Sequence, residues 1–150
     1  RAELNIMSAS SWKGKIYFCI ACANFKLENM KKAINYSYLA KEKFNQLDNK
    51  KEYANTLFLL AEEYSKKEDM DNAIKYSKNA LEVYKKLNDS MNIAKIENNL
   101  GKLFYQFDNI EESFIHLNKA KELRIKLKDS DVITTLIDIC ENYIKLKKKL

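Results

Sequence analysis

The sequence repeats with a period of 40 residues. Small residues and leucines occupy matching columns in three successive segments: Ala33, Ala73 and Ser113; Ala40, Ala80 and Ala120; and Leu47, Leu87 and Leu127. A period between about 20 and 50 residues is typical of a stacked solenoid, in which each unit buries its apolar face only against its neighbours. Such scaffolds usually bind other molecules. We therefore expect a binding protein.

Composition favours a chain made almost wholly of helix. Its 150 residues include two glycines and no proline, which leaves few residues for hairpin turns. Apolar residues recur every three or four positions, without a run of ~18 residues that could span a membrane. We expect an all-α fold, a right-handed α-solenoid of antiparallel helix pairs, with about seven helices plus an N-terminal helix remnant. No secretory leader follows Arg1, so we expect a cytoplasmic protein that makes no membrane contact.

Each 40-residue unit is predicted to form two amphipathic helices. In the second unit, apolar spacings of three and four predict a first helix, helix A, over about 50–67 and a second, helix B, over about 70–87. Asp69 and Asn109 are good N-caps for two of the B helices, and Glu112 completes a capping box with Asn109.

The columns also predict how the chain is organised. We expect a single domain in which residues 1–8 are the tail of a preceding helix, 12–47, 50–87 and 90–127 are three repeats, and 130–150 is a C-terminal capping helix. The serine-rich residues 8–11 resemble a turn. Glu141 stands in the column of Gly101, where it would not tolerate a close-packed partner, so the last helix should cover the stack with its polar side outward. The start within a repeat indicates a fragment of a longer protein.

No group of residues suggests catalysis or metal binding. Cys19 and Cys22 form a C-x-x-C pair, but within a helical pattern that lacks the preceding strand of a redox site. A zinc site would need further ligands, and Cys140 and His116 are predicted to lie far from this pair. His116 occupies a column of tyrosines and is interpreted as a scaffold residue. We therefore expect no enzyme, no cofactor and no metal.

The net charge of +6 does not by itself indicate nucleic acid binding. The lysines are scattered in pairs among acidic residues, with one denser cluster at 145–149. This pattern is typical of a solvated helix surface, and lysines near a helix C-terminus also complement its dipole. Any contact with nucleic acid would be made by a separate upstream domain.

The free side of the A helices is the candidate binding surface, because A helices line the concave surface of such a solenoid. An extended peptide suits it: amides can pair with a peptide backbone, aromatic rings with apolar side chains, and Lys95 or Lys102 with a carboxylate. Alternatively, Phe18 and Phe58 only pack between adjacent A helices. The candidate contacts are Lys15, Phe18, Phe25, Asn55, Phe58, Glu62, Lys95, Asn98, Asn99, Lys102, Tyr105, Asp138 and Asn142.

These columns resemble the tetratricopeptide repeat. The family's Leu-Gly pair with an aromatic residue three positions later is similar to Leu100, Gly101 and Phe104, and its two alanines seven residues apart are similar to Ala73 and Ala80. The period here is longer than the usual ~34 residues, and the closing proline is absent.

Long repeats of this kind resemble those of the peptide-sensing regulators of low-GC Gram-positive bacteria, the Rap, NprR and PlcR group. The resemblance implies a cytosolic receptor for a short imported signalling peptide in bacterial quorum sensing, often joined to an upstream DNA-binding domain of a transcription regulator. Asn98 resembles the asparagines that hold peptide backbones in that group. Two alternatives remain open: a general scaffold for protein partners, and a homodimer formed through the apolar end beside the missing upstream helix.

Overall fold

The computed structural model describes the backbone of residues 2–150 and the side chains of residues 9–150. These residues form seven α-helices and no strand: α1 (Ala2–Lys26), α2 (Met30–Gln46), α3 (Lys50–Lys66), α4 (Met70–Lys86), α5 (Ser90–Gln106), α6 (Ile110–Lys126) and α7 (Val132–Lys149). The predicted all-α class with seven helices is confirmed. None of the described helices is long and apolar enough to cross a membrane.

The first helix is longer than the sequence pattern predicts. α1 runs without interruption over 25 residues, so the turn expected at 8–11 is wrong, and residues 2–8 continue α1 as one element. Serine costs a helix at most ~0.7 kcal/mol per residue, which is too little to end a helix without glycine or proline. Arg1, and the side chains of residues 2–8 that suggested a preceding helix, lie outside the described residues.

The turns recur regularly, once after each helix and therefore twice in each sequence repeat. Each helix from α2 to α6 has 17 residues, and a left-handed residue lies in the connection after every helix from α1 to α6. After α3, the Glu68 N–H donates to Ser65 O at 3.0 Å, and the Asp69 N–H donates to Tyr64 O at 2.9 Å, which is a Schellman closure. The left-handed residues have φ of 51–63° although none is glycine: Glu28, Asp48, Glu68, Asn88, Asp108 and Lys128.

Side chains cap the N-terminal ends of four helices. Asp69 Oδ1 accepts a hydrogen bond from Asn72 N at 3.2 Å, and Asn109 Oδ1 accepts one from Glu112 N at 3.2 Å, so both predicted N-caps are confirmed. The helices α3 and α5 are capped in the same way by Asn49 and Asp89. Each cap satisfies one N–H that the helix itself leaves unpaired.

The chain divides into two compact units, Arg1–Val83 and Tyr84–Leu150, with the boundary inside α4. In the first unit, alanines let the helices approach closely, and a Cβ added at Gly14 of α1 would lie only 2.9 Å from the Phe44 ring of α2. Phe44 is fully buried there, which contributes roughly 1.5–3 kcal/mol. The fully buried alanines of this unit include Ala21, Ala33, Ala40, Ala54 and Ala61.

In the second unit, α5 and α6 approach each other closely at Gly101. A Cβ added there would lie 2.5 Å from Leu117 Cγ and 3.3 Å from Ser113 O. Ser113 Oγ also donates a hydrogen bond to Gly101 O at 2.7 Å. Glycine is therefore required at this point because Leu117 and the α6 backbone occupy the space of a side chain.

The outer side of α7 is apolar, so the prediction of a cap with its polar side outward is wrong. Ile133, Ile137 and Ile144 are 63%, 54% and 56% exposed, and Cys140 and Glu141 are exposed among them. The reason is that α7 turns a largely polar side inward, and this side forms hydrogen bonds with α5 and α6. The buried residues of α7 are Thr135, Asp138, Ile139 and Asn142.

Candidate functional site

The predicted contacts in the first unit lie on α1 and α3. Lys15 is exposed, while Phe18, Phe25 and Phe58 are half-buried. The two helices meet on this face, because the ammonium of Lys66 on α3 lies 6.0 Å from the centre of the Phe25 ring on α1. Each of the three phenylalanines is thus partly accessible to solvent.

Two polar residues complete this face of the first unit. Asn55 and Glu62 of α3 are both half-buried. Asn55 Nδ2 donates to Glu52 Oε2 at 3.3 Å, one turn earlier on the same helix. Asn55 is thus already oriented by α3, with its amide on the side where the phenylalanines lie.

Cys22 also lies on this face, and its environment disfavours the thiolate form. Burial, followed by the charges of Cys19, Glu63 and Glu62, raises the pKa of the Cys22 thiol. A thiol of raised pKa is protonated at neutral pH and is a poor nucleophile or metal ligand. Within the described residues, no group of three or more His, Cys, Asp or Glu side chains could hold a metal ion.

A buried carboxyl group, which the sequence pattern did not predict, lies behind this face. Glu63 of α3 and Ser37 of α2 are fully buried, and Ser37 Oγ donates to Glu63 Oε1 at 2.8 Å. Glu63 Oε2 has no hydrogen-bond partner among the described residues. Burial raises the Glu63 pKa to about 7, although the Ser37 bond lowers it. A signal existed in the sequence, since Glu63 stands in the column of Ala23 and Leu103.

Three tyrosines, of which Tyr76 is buried and Tyr38 and Tyr64 are half-buried, form a hydrogen-bonded group in the first unit. Tyr38 Oη lies 2.9 Å from Tyr64 Oη and 2.7 Å from Tyr76 Oη, and the rings of Tyr64 and Tyr76 are stacked at 5.6 Å. Burial and these two hydrogen bonds raise the pKa of Tyr38. The cluster joins α2, α3 and α4, and we interpret it as structural.

In the second unit, Asn98 is engaged by the protein itself. Asn98 Oδ1 accepts hydrogen bonds from Thr135 Oγ1 at 2.7 Å and from Arg124 Nη1 at 3.3 Å. Its Nδ2 donates to Asp138 Oδ2 at 3.0 Å. Asn98 is only 6% exposed, so the amide that the resemblance assigns to a peptide backbone connects α5 with α6 and α7.

Arg124 is the centre of this network, and it was not among the residues predicted from the sequence. It is 5% exposed, and its Nη1 also donates to Thr135 Oγ1 at 2.6 Å and to Asp131 O at 3.0 Å. Arg124 Nε lies 3.6 Å from Asp129 Oδ2. Its column holds the aromatic residues Phe44 and Tyr84 in the earlier repeats, so a charged residue there was a detectable exception.

Asn142 does not lie on the free side of its helix, and that part of the prediction is wrong. It is fully buried, and its Nδ2 donates to Ser113 Oγ on α6 at 2.7 Å. Asp138 is also buried, with its carboxylate on Asn98 and 3.8 Å from Lys102 Nζ. The inward side of α7 contains both residues because it is the side that α5 and α6 cover.

The other predicted residues of α5 reach solvent. Lys95 and Lys102 are exposed, and Asn99 and Tyr105 are half-buried. Lys145 of α7 covers Tyr105, with its ammonium 4.1 Å from the ring centre and donating to Tyr105 O at 2.7 Å. Lys95 and Lys102 thus present two exposed ammonium groups on α5.

His116 is held as a structural residue. Its Nδ1 lies 2.6 Å from Glu97 Oε2, and its ring stacks on Phe104 at 5.3 Å with an angle of 3° between the planes. Tyr76 and Tyr64 form the equivalent stack one repeat earlier, in the first unit. An open groove of about 410 Å³ adjoins Glu97, but lysines and glutamates line it together, which favours no class of ligand.

Within each unit, helix pairs approach closely at small residues, which is the packing of helical repeat proteins. A family model described as tetratricopeptide repeat matches residues 59–126. A search of curated proteins finds no match to the chain.

Three solved structures have the same fold as this chain. The apo form of RapI is 20% identical, with a TM-score of 0.85 over 91% of this chain and 50% of that one. Aspartyl phosphate phosphatase F from Bacillus subtilis is 13% identical, with a TM-score of 0.88 over 92% and 37%. A Rap protein complexed with competence and sporulation factor is 16% identical, with a TM-score of 0.82 over 93% and 39%.

The chain thus resembles the Rap group, as the sequence predicted, and has the tetratricopeptide fold. It spans half or less of the length of these three proteins. At sequence identities this low, the similarity establishes the fold alone.

Proposed function

We propose that this chain is a binding domain for a short peptide or an extended protein segment. The observation that carries the proposal is the face of α1 and α3, where Phe18, Phe25 and Phe58 are each only half-buried. Half-exposed rings on a helical framework can take the apolar side chains of an extended peptide. Lys15, Asn55 and Glu62 would supply polar contacts to it.

The second unit would bind an acidic group. Lys95 and Lys102 are exposed on α5, beside Asn99 and Tyr105. Lys102 has a weak partner in Asp138, 3.8 Å away, so a ligand carboxylate would compete with Asp138 for this ammonium group. We propose that Asn98 contributes indirectly, by holding α7 against α5, because both ends of its amide are bound within the protein.

The wider role that we propose is that of a sensor domain in a cytoplasmic, peptide-responsive bacterial regulator. Supporting it is the similarity to a Rap protein whose structure was determined with competence and sporulation factor. We propose no catalytic activity for this chain. Aspartyl phosphate phosphatase F is named as an enzyme, but this chain covers only 37% of that protein. The tetratricopeptide fold generally mediates protein interactions.

The test is a thermal-shift titration with short apolar peptides that differ only at the C-terminus, as carboxylate or as amide. A binding peptide should raise the unfolding midpoint. Phe58→Ala should remove most of this rise, because it deletes a partly exposed ring of the face. If no apolar peptide shifts the midpoint at millimolar concentration, the proposal fails.

A separate double-mutant cycle tests the second unit by itself, with carboxylate and amide peptides whose binding does not have to depend on Phe58. Lys102→Ala should weaken the carboxylate peptide about fivefold and leave the amide peptide unchanged, since an exposed ion pair is worth up to ~1 kcal/mol. Lys78→Ala, an exposed lysine of α4, is the matched control and should change neither peptide. If Lys102→Ala weakens the binding of both peptides equally, Lys102 does not bind the peptide carboxylate.

A homodimer is the second candidate. Trp12 and Ile16 of α1 are 66% and 53% exposed, and the Lys15 ammonium lies 5.4 Å from the Trp12 ring. Large exposed apolar side chains are typical of contact surfaces. Analytical ultracentrifugation of the chain and of its Ile16→Asp variant tests this: only a dimer that the substitution dissociates supports it.

A further inference from the structure

Polar side chains hold α7 in place within the second unit. Thr135, Asp138 and Asn142 each form a hydrogen bond of 2.7–3.0 Å with a residue of α5 or α6. The only other buried residue of α7 is Ile139. In α3, by contrast, five of the seven buried residues are alanine or leucine. The docking of α7 therefore depends on polar contacts more strongly than the packing of α3 does.

Asp138 is the charged member of this group, and Lys102 of α5 is its positive partner. The Asp138 side chain is 11% exposed, and its Oδ2 lies 3.8 Å from Lys102 Nζ. Among the described residues, Lys102 provides the only ion pair of this carboxylate. The other polar partner, the Asn98 amide, is neutral. Because a buried carboxylate without a cation is costly, Lys102 stabilises the docked position of Asp138.

Lys102 is at the same time open to solvent. Its side chain is 50% exposed, so a ligand can reach the ammonium group. A ligand carboxylate would either draw this group away from Asp138 or share it with Asp138. Sharing brings two negative charges close together, and these repel each other. In both cases the docked position of Asp138 becomes less favourable.

We propose that Lys102 couples ligand binding to the docking of α7: a carboxylate bound by Lys102 weakens the hold of Asp138 on α5, so that α7 undocks more often. This regulation rests on the proposed function, because it requires a ligand carboxylate at Lys102. The coupling is reciprocal, so the docking of α7 also lowers the affinity for the carboxylate. Its size is limited to about fivefold, the most that a partly exposed ion pair supplies.

Hydrogen exchange of the full chain, measured by mass spectrometry, tests the first step without a ligand. Lys102→Met keeps an unbranched apolar side chain and removes the charge, so the α7 amides should exchange about three- to fivefold faster. The amides of α3 in the first unit should exchange at the same rate as before. Lys119→Met replaces an exposed lysine of α6 and is the matched control, which should leave α7 unaffected.

Asp138→Asn isolates the contribution of the carboxylate. The asparagine oxygen can still accept a hydrogen bond from Asn98, but it carries no charge for Lys102 to balance. In this background, Lys102→Met should leave the exchange of α7 unchanged. Circular dichroism of each variant checks that the helices still form.

The second step uses the apolar peptides that differ only in a C-terminal carboxylate or amide, each well above its dissociation constant. The carboxylate peptide should speed the exchange of α7 about three- to fivefold in the original chain, and should not change it in Asp138→Asn. The amide peptide should leave the exchange of α7 unchanged in both chains. This comparison separates the carboxylate from every other effect of binding.

Three results would overturn the proposal. In the first, Lys102→Met does not speed the exchange of α7. In the second, it speeds the exchange equally with and without Asp138→Asn, so that Lys102 acts through another contact. In the third, the carboxylate peptide binds without changing the exchange of α7. If neither peptide binds, the proposed function fails together with the ligand step, while the comparison of Lys102→Met in the two backgrounds keeps its meaning.

Discussion

Glu63 makes the stability of this protein depend on pH in a calculable way. The carboxyl group is fully buried with Ser37 as its hydrogen-bond donor, and its other neighbours, Glu62 and Cys22, offer no positive charge. Its pKa rises from 4.5 to about 7 on folding. Since each tenfold change in the ionisation constant is worth ~1.4 kcal/mol, the ionised form is destabilised by about 3 kcal/mol.

The direction follows from the raised pKa of the folded state. The folded protein holds the Glu63 proton more tightly than the unfolded chain, so the contribution of Glu63 is most favourable below pH 4.5. It is lost as the pH rises from 4.5 to about 7, and it is constant above that range. At pH 8 the ionised Glu63 therefore destabilises the folded protein by the full amount of about 3 kcal/mol.

Glu63→Gln is the perturbation that isolates this contribution. Glutamine keeps the size of the side chain and an oxygen that accepts from Ser37, but it cannot ionise. The difference in free energy of unfolding between the variant and the original chain should increase by about 3 kcal/mol, in favour of the variant, as the pH rises from 4.5 to 8. Urea denaturation at several pH values measures this difference.

Two controls accompany the measurement. Glu82→Gln on the exposed side of α4 should leave the pH profile unchanged, because water solvates that carboxylate in both states. Ser37→Ala removes the bond that lowers the Glu63 pKa, so the pH-dependent loss should still begin near pH 4.5 but extend above pH 7 and become larger. If Glu63→Gln and the original chain show parallel pH profiles, the burial argument is refuted.

Three further predictions concern stability at neutral pH. Gly101→Val should cost roughly 2–3 kcal/mol by overpacking against α6, and an unchanged thermal midpoint would contradict the packing described. Glu68→Gly should gain about 0.5 kcal/mol by relieving a left-handed φ of 60°, whereas Glu82→Gly within α4 should lose ~1 kcal/mol; the two midpoints should move in opposite directions. Arg124→Ala should cost roughly 3 kcal/mol and speed hydrogen exchange in α7, and unaltered exchange would show that the Asn98 network does not hold α7.

The positions of the helices follow from local features of the sequence. Apolar spacings of three and four mark the helices, and polar residues such as Asp69 and Asn109 mark their starts. These signals lie within one or two turns of each other, so they can be found without a structure. The same locality explains the error at residues 8–11, where serines resemble a turn but the chain lacks the residues that would end a helix.

The candidate site depends more on tertiary structure. The sequence placed Lys95, Lys102 and Phe58 on helix surfaces that do reach solvent. It could not show that the Asn98 amide and the Asn142 Nδ2 form hydrogen bonds within the protein, because their partners lie 26–40 residues away along the chain.

The sequence by itself therefore determined the helices, their 40-residue period and the tetratricopeptide resemblance, since all three arise from contacts repeated within and between neighbouring helices. Only the tertiary structure decided which polar groups are buried: Glu63 beside Ser37, Arg124 among α5, α6 and α7, and the inward polar side of α7. The physical reason is that burial depends on which neighbour covers each side of a helix, and the periodicity of a single helix does not specify that neighbour.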